Sequence, residues 1–131
     1  MLMKWIKKLF EPAPDKIEVE IKELFSFLLA NYNFTFIKTN LGDLVNENGK
    51  RIFYGPYNAY QIYNDRVCIN IMYLVQRDDK EIYITEKQSD DQNYIHRGLQ
   101  IPTYLAYDLN TFAAQIKSEV LNKKMICGMS I

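Results

Sequence analysis

Residues 57–87 read YNAYQIYNDRVCINIMYLVQRDDKEIYITEK, three runs rich in Tyr, Ile and Val separated by two short polar turns. Aromatic and β-branched residues suit a pleated, half-buried surface, and turns this short join only antiparallel neighbours. The stretch therefore predicts a meander. Its middle run, Arg66 to Gln76, is the longest. Val67, Ile69, Ile71, Tyr73 and Val75 fall on one face, and Cys68, Met72 and Leu74 with Asn70 on the other. A strand that is apolar on both faces belongs at the centre of a sheet, covered on both sides. In the third run Ile82 and Ile84 face opposite to Tyr83 and Thr85. Asn64-Asp65 reads as a tight turn with both residues at positive φ, and Arg77-Asp78-Asp79-Lys80 as a charged turn.

What surrounds the meander follows from period and punctuation. Asp15 stands where an N-cap would, with Glu18 three residues on, and Ile17, Ile21, Leu24, Phe25 and Leu28 recur on one helical face. This predicts a helix over about 16–31, stopped by Asn31 and Asn33. Phe34 to Ile37 reads as a first strand, Asn48-Gly49 as a hairpin turn and Arg51 to Tyr54 as a short strand. Tyr104 to Tyr107 has no clear assignment. A second helix is expected over about 109–124, capped by Asp108 or Asn110, burying Leu109, Phe112, Ala113, Ile116 and Val120. The expected architecture is α+β: an antiparallel sheet of four to five strands packed with an N-terminal and a C-terminal helix, in one domain spanning 1–131. Both helices can cover one sheet face and leave the other partly open.

Residues 1–14 stand apart. MLMKWIKKLF is basic and amphipathic, and Pro12 and Pro14 break whatever follows it. Trp5, Ile6, Leu9 and Phe10 opposite Lys4, Lys7 and Lys8 suit a membrane surface, but ten residues bury little, and a turn covering one edge of the core is the plainer expectation. The two cysteines, Cys68 and Cys127, come without a signal-peptide pattern and read as free thiols, so a cytoplasmic location is expected.

Chemistry is sparse. Formal net charge is zero, and the meander sets Arg66, Arg77, Lys80 and Lys87 against Asp65, Asp78, Asp79, Glu81 and Glu86. That balance offers phosphate no attraction, so no nucleic acid is expected, despite tyrosines able to stack bases. The single histidine, His96, and the two cysteines cannot make a four-ligand zinc site. No P-loop, dinucleotide-binding or nucleophile-elbow pattern occurs. The expectation is a non-enzymatic protein with no cofactor and no metal. The alternative is a small-ligand binder or enzyme with a pocket around His96 and Arg97, where a guanidinium fork would meet an anion.

Tyrosine-rich strands flanked by acidic loops suit a protein interface, with aromatic rings as anchors and carboxylates for steering. The candidate surface is Tyr54, Tyr57, Tyr60 and Tyr63 with Asp78, Asp79, Asp90, Asp91, Tyr94, His96 and Arg97.

The run LFSFLLANYNFTFIKTN followed by AYQIYNDRVCINIMYLVQRDDKEIYITEK resembles small bacterial immunity proteins of polymorphic-toxin and contact-dependent growth inhibition systems. Tyr32-Asn33-Phe34, Tyr63-Asn64-Asp65-Arg66 and Arg77-Asp78-Asp79-Lys80 carry the resemblance, which covers roughly residues 24–87. It implies a non-enzymatic cytosolic inhibitor that binds one cognate toxin domain.

Overall fold

The computed structural model describes residues 15–41, 44–52, 57–74 and 77–131. The basic N-terminal segment, Tyr54, Val75 and Gln76 lie outside the described residues. The elements are α1 (Lys16–Leu24), α2 (Ser26–Asn31), β1 (Thr35–Asn40), β2 (Leu44–Val45), β3 (Arg51–Ile52), β4 (Tyr57–Tyr63), β5 (Cys68–Leu74) and β6 (Asp79–Thr85). After them come α3 (Gln92–His96), β7 (Leu99–Gln100), α4 (Thr103–Tyr107), α5 (Leu109–Lys123), β8 (Met125–Ile126) and β9 (Met129–Ser130). The main sheet has five strands in the order β1-β4-β5-β6-β7, every pair antiparallel. This is the α+β arrangement expected, with the meander β4-β5-β6 as its middle.

Asp15 caps α1 as anticipated, its Oδ1 accepting the N–H groups of Ile17 (3.0 Å) and Glu18 (3.2 Å). The expected single helix is instead two, parted at Phe25. Phe25 N–H still donates to Ile21 O (3.0 Å), so the apolar period runs through the break. Asn33 then takes the left-handed conformation at φ 58°, which its short amide tolerates.

At the first meander turn neither Asn64 nor Asp65 has positive φ. Asn64 Oδ1 accepts the N–H of Arg66 (2.8 Å) and Val67 (3.0 Å), while Asn64 N–H donates to Val67 O (3.1 Å). An Asx turn over four residues does what a left-handed pair would have done. The left-handed residue sits in the second turn, at Asp78 (φ 49°). The stretch without assignment, Tyr104 to Tyr107, belongs to helix α4. Arg51–Ile52 does not join the main sheet; it pairs with β2 in a separate hairpin whose turn needs Gly49 at φ +75°.

Strand alternation divides the sheet cleanly. Tyr60, Ile62, Ile69, Ile71, Ile82 and Ile84 face the helices and form one core with Ile21, Phe25, Leu28, Phe112, Ile116 and Val120. The Phe25 and Phe112 rings meet edge to face at 6.0 Å. Each such side chain, fully buried, contributes about 1.5–3 kcal/mol. The opposite face is not left open. Residues 86–98, including α3, fold over it and bury Ile95 against Tyr57, Met72, Leu74 and Tyr83 in a smaller second cluster.

Among the described residues no helix is long and apolar enough to cross a membrane.

Candidate functional site

The ten described residues expected to form one interface are scattered over four places. Tyr57 and Tyr60 are buried, on opposite faces of β4, so neither can anchor a surface contact. Tyr60 is wholly enclosed, and its hydroxyl donates to Asp15 Oδ2 (2.6 Å), which also receives Lys38 Nζ (2.6 Å). Burial, with this bond to a carboxylate, pushes the Tyr60 phenol well up. Burial works to raise Asp15 too, but the bonds from Lys38, Tyr60 and the Glu18 N–H, with the lysine charge, bring it down to about 2. The group is a staple between the start of α1 and the sheet. Tyr63 is half-buried at the end of β4, beside Tyr32 and Arg66.

Asp90, Asp91, Tyr94, His96 and Arg97 do come together, on α3 and its flanks. Asp91 caps the helix through Asn93 N–H (2.9 Å), and Asp90 accepts from Gln88 Nε2 (2.9 Å). A buried polar network holds this segment to the sheet. Gln61 Nε2 donates to Asn70 Oδ1 (2.7 Å) and to Ser89 O (2.9 Å). Asn70 Nδ2 donates to Tyr83 O (3.0 Å) and Thr85 Oγ1 (3.1 Å), and Gln88 Nε2 reaches Gln61 Oε1 (3.0 Å). Polar groups this deep hold because they bond one another.

His96 faces inward from α3. Its Nδ1 lies 2.8 Å from Gln92 O, its ring 4.8 Å from that of Tyr83, and its Nε2 3.7 Å from Glu81 Oε2. The Glu81 carboxylate raises the imidazole pKa against the opposing effect of burial, aided by the Gln92 carbonyl. His96, Glu81, Tyr57, Tyr83 and Leu44 line a small cleft of about 120 Å³. Outside it, between the β2–β3 hairpin and α3, opens a cleft of about 610 Å³ bordered by Asn46, Glu47, Asn93, His96 and Arg97.

Asp78 and Asp79 lie elsewhere, at the β5–β6 turn, with partners the sequence reading did not include. Tyr73 Oη donates to Asp78 Oδ1 (2.8 Å), and Tyr107 Oη donates to Asp79 Oδ1. These bonds raise both phenol pKa values, so the hydroxyls keep their protons. Tyr104, one turn before Tyr107 on α4, is 71% exposed and Tyr107 is 50% exposed. The signal that could have found them is the Tyr104-x-x-Tyr107 spacing, which puts both rings on one side of a helix.

The thiols are unsuited to nucleophilic work. Burial pushes Cys68 up to about 12, and burial with the Glu119 charge pushes Cys127 up to about 11. Among the described residues no three His, Cys, Asp or Glu side chains gather as a metal-binding group. No family model matches this chain, and no curated protein or solved structure matches it.

Proposed function

We propose that the chain is a non-enzymatic protein-binding module, an immunity-type inhibitor that neutralises a cognate toxin domain in the cytoplasm by direct contact. The observation that supports this most is the surface made by Tyr104 and Tyr107 with Asp78 and Asp79. Two large rings stand in water, one of them fixed by a carboxylate. Tyrosine loses little side-chain freedom on binding and presents an apolar body with a polar tip, and such residues dominate binding energies. Asp78 and Asp79 each retain acceptor sites beyond the bond from a phenol, which suits an Arg or Lys of the partner. Arg77 and Lys80 lie beside them and would form the rim, Lys80 already resting 5.6 Å from the centre of the Tyr73 ring.

The test uses the protein encoded immediately upstream as the candidate toxin. Expressed alone it should arrest growth, and co-expression of this chain should restore growth. A Tyr104→Ala/Tyr107→Ala double variant, its fold checked by circular dichroism, should bind the toxin about 30-fold more weakly or worse, in the range of aromatic hot spots. A harmless neighbour, or a double variant that binds as tightly as the parent, would overturn the reading.

A further inference from the structure

Between the end of α3, β7 and the C-terminal hairpin β8–β9 lies a second cleft, of about 470 Å³. Its volume is that of a pocket for a small organic molecule. Tyr94, Leu99 and Met129 give it apolar walls, and Arg97 stands at its side. Leu99 is 48% exposed, and Tyr94 and Met129 are half-buried, so apolar surface is left facing water.

The floor is backbone. A Cβ on Gly98 would meet Ile84 O at 2.7 Å and Thr85 Cγ2 at 2.7 Å. Only glycine lets the chain leaving α3 lie this close to β6, and that approach sets the depth of the cleft.

Its electrostatics choose the ligand. Arg97 Nε donates to Asn93 O (3.1 Å), which fixes the plane of the guanidinium. Among the described residues no carboxylate comes within ion-pair distance of Arg97. Lys87 adds a second cation, its Nζ 5.7 Å from the centre of the Tyr94 ring. Glu86 is the one acid on the lining and Arg97 the one cation, with Lys87 just outside it. A planar fork with no ion-pair partner among the described residues, next to exposed apolar walls, fits an anionic head on an apolar body.

We propose that this cleft binds a small aryl or alkyl carboxylate, its head paired with Arg97 and its body against Leu99, Met129 and Tyr94. The proposal is independent of the protein-binding reading, which rests on α4 and the β5–β6 turn.

The probe is 2-naphthoate, titrated into the full chain by NMR, with 2-naphthalenemethanol as the neutral analogue. Naphthoate should give saturable shifts at the Met129 and Leu99 methyls and at Arg97 Nε–H. Arg97→Gln, with an otherwise unchanged spectrum, should weaken binding about tenfold, as expected for loss of one charge-assisted pair. The alcohol should bind the parent about tenfold more weakly than naphthoate, and the Arg97→Gln variant should no longer tell the two apart. Absence of saturable shifts at these groups, equal binding of acid and alcohol by the parent, or naphthoate affinity unchanged in Arg97→Gln would overturn it.

Discussion

The two faces of the sheet are buried by different means. One lies under α1, α2 and α5, with a continuous apolar core from Ile21 to Val120. The other lies under residues 86–98, held by a handful of apolar contacts around Ile95 and by the network of Gln61, Asn70, Thr85 and Gln88. The clefts of about 610, 470 and 120 Å³ all involve residues of the second cover. Helices with long apolar stripes close a surface more fully, leaving a cleft of about 290 Å³ at its edge, beside Tyr32 and Ile131. A short helix between polar loops closes it piecemeal, and the gaps between its contacts are where ligands can enter.

Truncating one core residue on each side is the strongest way to break this comparison. Phe112→Ala removes a ring packed on Phe25 and should cost about 3–5 kcal/mol by urea unfolding. Ile95→Ala, in the smaller cluster, should cost about 2 kcal/mol, because a lightly held cover can settle into the space. Equal losses would mean that the two faces are equally rigid.

Asn70→Ala sharpens the role of the polar network. It takes the acceptor from Gln61 Nε2 and the donor from Tyr83 O and Thr85 Oγ1. The expected loss is about 2–3 kcal/mol, the cost of buried polar groups left unbonded. Amide exchange should rise first over residues 86–91, while α5 stays protected. If protection falls evenly across the chain, the network is part of the global core and not a clasp for one segment.

Titration separates the faces by sign. Asp15, on the helix side, has a folded pKa of about 2 against an ordinary 3.8, so its contribution of about 2 kcal/mol is present above pH 3.8 and lost as pH falls through about 2. Asp15→Asn should remove that acid dependence. His96, on the loop side, has a raised pKa. Its stabilisation is complete below the ordinary value of 6.5 and is lost as pH rises through the folded value. This is the smallest effect of the set, visible as faster exchange in α3 at alkaline pH and absent in His96→Gln. Acid sensitivity in α3, or alkaline sensitivity at the start of α1, would contradict the assignment.

The frame was legible because its rules are local. Alternation along β5 identified the doubly covered central strand, and Asp15 followed by Glu18 marked the start of α1. The candidate site was legible only in pieces. Tyr57 and Tyr60 were grouped as one surface, yet an odd spacing on a strand sends them to opposite faces, and both faces are covered. Asp78 and Asp79 stand out in the sequence as a charged turn, whereas nothing local marks Tyr73 and Tyr107 as their phenolic partners.

By itself, then, the sequence determined the meander strands, the caps of α1 and α5 and which of their side chains share a face, since each depends on neighbours a few positions away. Tertiary structure alone decided which tyrosines meet water and which segment closes the second face. Tyr60 is buried in part because its hydroxyl finds Asp15, 45 positions earlier, and Tyr107 is held at the surface by Asp79, 28 positions earlier. Pairings across such distances are set by how the sheet and helices pack, and no local period records them.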